Sequence, residues 1–265
     1  MPILDKEGMQ YEAKRLADCN VKYNLFRCEN DKYHDLTLFA FPYRCELQIC
    51  DICSGKRGFR VRKDIEKILK KTDKTKTHKF SLLTLTLRMT RQRSITGNQV
   101  RYFNKSVRKL INSLFSKSDG CGAIAVTEIG KRFNIHAHVL VYGHYVSQRI
   151  ITEKWYKITG NSYIVDIRAA RDHRKATGYL LKYISKPPRF DQLVKYAHYL
   201  KAVKGVKRLH RFGIFYGFSV LDKKPLLCPY CNGRLVYDCK EDALTVGIIC
   251  DDYNEAKRIM TEKAA

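Results

Sequence analysis

Acidic residues are scarce in this chain of 265 residues, which has 26 Asp and Glu against 51 Lys and Arg and a formal charge of +25. A protein with such an excess of one sign repels itself unless a polyanion covers part of its surface. Hydrophobic residues still make up 45% of the sequence, which excludes disorder of the whole chain. We therefore expect a folded protein that binds nucleic acid. A basic protein whose lysines are merely solvated is the alternative.

Long apolar runs and a nucleotide-binding loop are also missing. No apolar stretch approaches the roughly 20 residues that cross a bilayer, and the N-terminus has no signal-peptide core. The sequence Gly-x-x-x-x-Gly-Lys-Ser/Thr of the phosphate-binding NTPases does not occur. The sequence therefore predicts no NTPase of this class. We expect a cytoplasmic protein without a membrane partner.

Cysteine is nearly absent from the middle of the chain, where Cys121 stands alone and is interpreted as a buried thiol. In a reducing compartment, grouped thiols are typical of metal sites rather than disulfides. Cys228-Pro-Tyr-Cys231-Asn-Gly has the form of a zinc knuckle, which needs two further ligands. The local candidates are Cys239 and Cys250, and the distant ones are Cys50 and Cys53.

A second group of cysteines lies near the N-terminus. It can supply a complete ligand set of its own, for which Cys19 or His34 could substitute at one position: Cys28, Cys45, Cys50 and Cys53. We expect one or two structural zinc ions in all, held in small lobes that flank the middle of the chain.

The middle of the chain alternates between strand and helix patterns. The predicted elements are a strand at 80–88, a helix at 101–117, strands at 122–129 and 135–143 joined as a hairpin, a helix at 147–158, a strand at 162–167 and a helix at 171–186 that ends before Pro187. This order predicts an α+β fold with a central antiparallel sheet and packed helices. Lys63 to Lys79 is interpreted as a basic helix that runs into a linker. We expect three segments, 1–79, 80–220 and 221–265.

The predicted hairpin has the features of a metal site. Residues two apart on a strand share a face, so His136 and His138 point away from the apolar face of their strand. Glu128 lies across from His136 if the hairpin turns about residue 132. Two imidazoles and a carboxylate leave coordination positions open, which suits Mg²⁺ or Mn²⁺ at a phosphate. An accidental pair of exposed histidines is the alternative.

The predicted helix 171–186 combines tyrosines and lysines on one face. Tyr179 and Tyr183 alternate there with Lys182 and Lys186, opposite an apolar back that can dock on the sheet. Nearby cations would favour the phenolate of a tyrosine and make it a better nucleophile. The alternative is a surface helix that binds phosphates without chemistry.

These residues resemble three motifs of the HUH endonucleases, in the order of that superfamily. Phe80-Ser-Leu-Leu-Thr-Leu-Thr resembles the first motif, His136-Ala-His138 with Glu128 the metal motif, and Tyr179-Leu-Leu-Lys-Tyr-Ile-Ser-Lys186 the nucleophile motif. The resemblance covers about residues 80–190 and is strongest to the rolling-circle replication initiators of plasmids and phages. The basic stretch Lys204 to Gly213 is similar to one that follows the nucleophile in plasmid initiators.

The resemblance implies an HUH-like fold and a DNA-nicking endonuclease in a prokaryotic host. The two histidines would bind the catalytic Mg²⁺ or Mn²⁺, and Tyr183 would attack the scissile phosphate of single-stranded or hairpin origin DNA, giving a 5′-phosphotyrosine and a free 3′-OH. Tyr179 would be an alternate nucleophile. Partners would be a helicase and a replication polymerase. Candidate DNA contacts are basic residues: Arg88, Lys131, Arg132, Lys207 and Arg208.

Two rival interpretations remain at the level of sequence. A transposase of the same superfamily has similar metal and nucleophile motifs. A zinc-stabilised nucleic-acid-binding protein without chemistry would bind DNA through the same basic residues. Lys and Arg contacts to phosphates make binding fall steeply with salt in every one of these proteins, so salt dependence does not separate them.

Overall fold

Six helices and eight strands form in the part of the chain that this computed structural model describes, which is residues 8–30, 38–71, 79–89, 94–115, 120–170, 173–217, 226–228 and 230–242. The helices are α1 (Gln10–Asp18), α2 (Asp51–Lys71), α3 (Gly97–Leu114), α4 (Gln148–Thr159), α5 (His173–Ser185) and α6 (Leu193–Val203). The strands are β1 (Lys22–Cys28), β2 (Phe39–Pro42), β3 (Lys79–Thr86), β4 (Gly122–Ile129), β5 (Ile135–Gly143), β6 (Val165–Ala170), β7 (Leu209–Gly213) and β8 (Leu235–Asp242). None of these helices is long and apolar enough to span a bilayer.

The two ends of the chain form one compact unit, which falls within Met1–Leu47 and Leu221–Ala265. Its sheet has the order β2-β1-β8, and both pairings are antiparallel. This arrangement differs from the separate segments 1–79 and 221–265 expected from the sequence. The cause is a long-range pairing, because β8 forms the edge partner of β1 and brings Leu235 opposite Cys28.

The second unit, Gln48–Val220, contains a five-stranded sheet of order β6-β3-β5-β4-β7. Every neighbouring pair in it is antiparallel. The fold is α+β, as predicted, and the bounds of β4 and β5 agree with the predicted hairpin. Edge strand β7 was not among the predicted elements, although it lies in the basic stretch that ends at Gly213.

Helices cover both faces of this sheet. On the histidine-bearing face, Val126 and Leu140 are buried under Leu180 and Ile184 of α5. On the other face, Thr127 donates a hydrogen bond to Asn104 of α3 at 2.6 Å. The histidine-bearing face is also a core face, and the hydrophobic back of α5 covers it because that back has the 3.6-residue period of a buried helix.

Helix α2 belongs to this second unit rather than to an N-terminal lobe. It begins at Asp51, well before the predicted basic helix, whose remaining residues 72–78 lie outside the described part of the chain. Val61, Ile65 and Ile68 join the core cluster under α5. The two helices approach closely at Gly58, where an added Cβ would lie 2.7 Å from the Cβ of Ser185.

Candidate metal and nucleophile site

Period-2 alternation on two paired strands places the three predicted metal ligands on one face. Glu128 on β4 lies directly opposite His136 on β5, and Val126 lies opposite His138. Residues opposite or two apart in an antiparallel pair share a face, so all three side chains project toward α5. The register that the hairpin suggested is thus the register of the structure.

His138 and Glu128 are in direct contact. His138 Nε2 lies 2.8 Å from Glu128 Oε2, and the imidazole is only 6% exposed. The hydrogen bond from His138 lowers the pKa of Glu128, with further lowering from the charges of His136 and Arg208, although partial burial acts in the opposite direction. The carboxylate is therefore ionised at neutral pH. His138 Nδ1 is buried and has no hydrogen-bond partner among the described residues.

His136 is held at both ring nitrogens. Thr86 Oγ1 lies 2.9 Å from Nδ1, and the side-chain amide nitrogen of Asn134 donates to Nε2. Nε2 must then be the acceptor, so Nδ1 carries the proton and donates it to Thr86. Burial lowers the pKa of His136, which keeps the ring neutral at physiological pH.

Thr86 and Asn134 were not among the predicted site residues. Asn134 could have been inferred, because it lies two residues before His136 and so has the same orientation. Thr86 could not be identified without the pairing of β3 with β5, which places it opposite His136. A second residue that orients each imidazole is a common feature of metal sites, since it sets which nitrogen offers a lone pair.

The donor chemistry of this group suits a divalent metal ion. Neutral imidazoles and an ionised carboxylate are all ligands of divalent metal ions. In the structure, Glu128 and His138 bond to each other and His136 bonds to Asn134. An ion at this site would replace these contacts. Glu128, His136 and His138 are thus the residues of this face that could hold a divalent ion.

Helix α5 places both tyrosines over this site. The ring of Tyr183 is stacked on the imidazole of His138 with centroids 3.4 Å apart, and Tyr179 meets the same imidazole edge-on at 6.0 Å. The Tyr183 hydroxyl donates to the Tyr179 hydroxyl at 3.1 Å. Tyr179 is 36% exposed, whereas Tyr183 is half-buried.

The lowering of the pKa of Tyr183 by nearby lysines, which the sequence suggests, is not found in the structure. Burial raises the pKa of Tyr183 above its ordinary value, and the hydrogen bond with Tyr179 raises it further. Lys182 and Lys186 are both exposed, and neither contributes to this shift. The cause is the position of the Tyr183 ring, which packs against the core cluster of the sheet instead of standing on the solvent face with the lysines.

In the first unit, Cys28, Cys228 and Cys231 form a group that could hold a metal ion, with sulfur atoms within 4.8 Å of one another. The backbone N–H of Gly233 donates to Cys231 Sγ at 3.3 Å, as expected for a knuckle turn. Burial raises the pKa of Cys28 to about 11.

The ligand sets predicted from sequence are corrected in two respects. Cys28 groups with the knuckle rather than with Cys45, because the β1–β8 pairing brings it there. Cys239 is not part of the group; it lies further along β8, beside Asp238 and Glu241. Cys250 and His34 lie outside the described residues.

The remaining N-terminal cysteines are also placed by the structure. In the first unit, the backbone N–H of Cys45 faces Cys19 Sγ at 3.5 Å. The neighbour of Cys45 is therefore Cys19, which was predicted as a substitute ligand, and not Cys28. In the second unit, Cys50 directly precedes α2 and Cys53 lies in its first turn. All four thiols are buried. The protein thus has cysteine clusters that could hold zinc.

The predicted DNA contacts lie around the second sheet. Arg88 follows β3 and stands 5.9 Å over the ring of Tyr163. It also lines a cleft with Asn98 and Tyr102 at the end of the strand. Lys131 and Arg132 are exposed in the β4–β5 turn. Lys207 and Arg208 precede β7, and both line a pocket beside Val126.

Comparison with known proteins gives a match to a protein family. No curated protein and no solved structure is significantly similar to the chain. The match is to a family model, and it covers about two fifths of the chain, from the first residues of the β3 motif to just beyond α5. Residues 80–188 match the family described as Replication-associated protein ORF2/G2P, and this similarity supports a replication initiator of the Rep type.

Proposed function

We propose that the protein is a metal-dependent endonuclease and strand transferase that nicks single-stranded origin DNA to initiate rolling-circle replication. The observation that carries the proposal is the stacking of Tyr183 on His138, with ring centroids 3.4 Å apart. This contact supports the proposal because it brings the ring of Tyr183 next to residues whose donor atoms suit a metal ion. The match of residues 80–188 to a replication-associated family supports the same function.

The chemistry needs one bond formed and one broken. The Tyr183 hydroxyl oxygen attacks the scissile phosphorus, the bond from phosphorus to O3′ breaks, and the products are a 5′-phosphotyrosine and a strand with a free 3′-OH. A divalent ion bound by Glu128, His136 and His138 would stabilise negative charge on the phosphate oxygens. The leaving O3′ takes up a proton, and the 3′-OH can then prime synthesis by a separate polymerase.

The arrangement of the two tyrosines favours Tyr183 as the first nucleophile. The Tyr183 hydroxyl donates a hydrogen bond to the Tyr179 hydroxyl, and the two oxygens are 3.1 Å apart. Because Tyr179 is the more exposed of the two, it offers a path for the proton to solvent. Because the pKa of Tyr183 is raised, the hydroxyl is protonated at neutral pH and this path is needed. Tyr179, one turn earlier on α5, could act in the second transesterification that rejoins the strand.

Covalent capture tests the proposal. Labelled single-stranded DNA from the origin of the replicon is mixed with the protein and Mn²⁺ and resolved by denaturing electrophoresis. Tyr183→Phe should abolish the adduct, while Tyr216→Phe, a change at an exposed tyrosine outside the site, should leave it intact. An adduct lost in Tyr179→Phe instead would reassign the nucleophile. If no variant or wild type forms an adduct on a verified origin strand, the protein is a binding module without this chemistry.

A further inference from the structure

A small cationic pocket lies beside the proposed active site on the same face of the second sheet. Its volume is about 220 Å³, and three basic residues line it: Arg57 of α2 with Lys207 and Arg208 before β7. Val126 and Ile184 supply apolar wall. No carboxylate is among its lining residues. A volume of this size exceeds that of several water molecules at about 30 Å³ each, so it can admit a phosphate group.

Arg208 is fixed in this pocket by neutral groups. Its Nε donates to the carbonyl of Thr127 at 2.8 Å, and its Nη1 donates to Gln48 Oε1 at 2.7 Å and to the Tyr199 hydroxyl at 2.8 Å. Burial raises the pKa of Tyr199, so that phenol stays neutral. Within the described part of the chain, Arg208 is thus rigidly held while its positive charge is not cancelled by an ion pair.

The pocket adjoins both parts of the proposed active site. Val126 in its wall is the cross-strand partner of His138, and residues so paired lie about 4.5–5.5 Å apart. Ile184 in its wall is the residue after Tyr183 on α5. A DNA strand whose scissile phosphate lies at Tyr183 therefore has a neighbouring phosphate within reach of the pocket.

We propose that this pocket binds a backbone phosphate adjacent to the scissile one and so fixes the register of the strand at the nucleophile. The inference rests on the proposed function and specifies how that site holds its substrate. Rigidly held guanidinium groups bind phosphate oxygens through short, charge-assisted hydrogen bonds. The apolar walls would contact the sugar attached to that phosphate. Arg57, Lys207 and Arg208 are positioning residues, because they touch the strand but not the reacting atoms.

Neutralising single phosphates tests the assignment. A series of single-stranded origin oligonucleotides, each with one uncharged methylphosphonate, is titrated against wild-type protein in the absence of divalent metal. Affinity should fall about tenfold at one position next to the nick site, as expected for a lost charge-assisted contact. Since neither nicking nor metal is needed, this result is independent of whether the covalent adduct forms.

The double variant Arg57→Gln/Lys207→Gln assigns that position to the pocket. It should bind the unmodified strand about tenfold more weakly and lose its sensitivity to the methylphosphonate at that position, and the slope of log affinity against log salt should fall by about one. Lys105→Gln, an exposed lysine on α3, serves as the control and should keep the wild-type pattern. Thermal melting checks that each variant is folded.

Three results would overturn the assignment. One is a scan of wild-type protein in which no single methylphosphonate near the nick site lowers the affinity. Another is a double variant that remains fully sensitive at the position found for the wild type. The third is a methylphosphonate scan without any sensitive position, combined with binding of inorganic phosphate or a mononucleotide that requires Arg57 and Lys207. That result would make the pocket a site for a free nucleotide.

Discussion

The ring of Tyr183 lies flat against the imidazole of His138, with centroids 3.4 Å apart and ring planes 12° from parallel. The contact joins α5 to β5 through the two side chains on which the proposed chemistry depends. Leu180 and Ile184 on the same helix pack on the sheet and hold α5 in this position. The position of the hydroxyl is therefore set by core packing and not by the lysines on the outer face of α5.

Replacing Tyr183 separates its chemical role from its packing role. Tyr183→Phe keeps the stacked ring and should leave DNA affinity and thermal stability close to wild type while removing the adduct. Tyr183→Leu loses the ring pair as well and should unfold with a free energy lower by about 1 kcal/mol than Tyr183→Phe, since aromatic pairs contribute roughly 0.5–1.5 kcal/mol. Urea titration measures the difference. Equal stability of the two variants would show that the stacking contributes nothing.

Much of this site could be predicted from local sequence patterns. Alternation along β4 and β5 gives the shared face of Glu128 and His136, because a two-residue period and a short turn fix the register of a hairpin. The apolar back of α5 follows in the same way from its 3.6-residue period. The chain order of the motifs then places Tyr179 and Tyr183 near the histidines.

Contacts between residues distant in sequence could not be predicted in this way. Cys28 meets Cys228 and Cys231 only because β8 pairs with β1, and no local period indicates that two chain ends share a sheet. Packing of α2 on α5 likewise depends on their close approach at Gly58. The pKa of Tyr183 is raised because the side chain is partly buried against the sheet. The angular positions of the tyrosines and lysines on the helix do not reveal this burial.

The carboxylate of Glu128 should be required for metal binding. Glu128→Gln has nearly the same shape and can still accept a hydrogen bond from His138, but it lacks the negative charge that attracts a divalent ion. We expect Mn²⁺ affinity, measured by calorimetry or electron paramagnetic resonance, to fall at least tenfold. Glu153→Gln, an exposed residue paired with Arg149 on α4, is the matched control. Unchanged affinity in Glu128→Gln would remove this residue from the ligand set.

The regrouping of the cysteines gives a direct test by zinc analysis. Cys28→Ser should reduce the zinc content by about one ion per chain, because it removes one thiolate from the group with Cys228 and Cys231. Cys239→Ser should not change the zinc content, since Cys239 lies outside that group. Inductively coupled plasma mass spectrometry of purified variants measures both. Zinc loss in Cys239→Ser with full retention in Cys28→Ser would restore the ligand set expected from sequence.

Two glycines one turn apart on α2 should respond in opposite ways to alanine. At Gly55 an added Cβ meets no heavy atom within 4 Å, so Gly55→Ala should stabilise the protein by about 0.5–1 kcal/mol through helix propensity. At Gly58 the added Cβ would lie 2.7 Å from the Cβ of Ser185, so Gly58→Ala must push α2 away from α5. Overpacking of this kind costs about 1–3 kcal/mol, which exceeds the gain in propensity.

The position of Gly58 also connects stability to the proposed chemistry. Ser185 is two residues after Tyr183, so a displacement of α5 at this point moves the ring that stacks on His138. Gly58→Ala should therefore slow adduct formation as well as lower the unfolding midpoint, whereas Gly55→Ala should leave the adduct rate unchanged. Denaturant unfolding and single-turnover adduct formation measure the two effects. A Gly58→Ala variant that is destabilised but reacts at the wild-type rate would show that the nucleophile tolerates a shift of its helix.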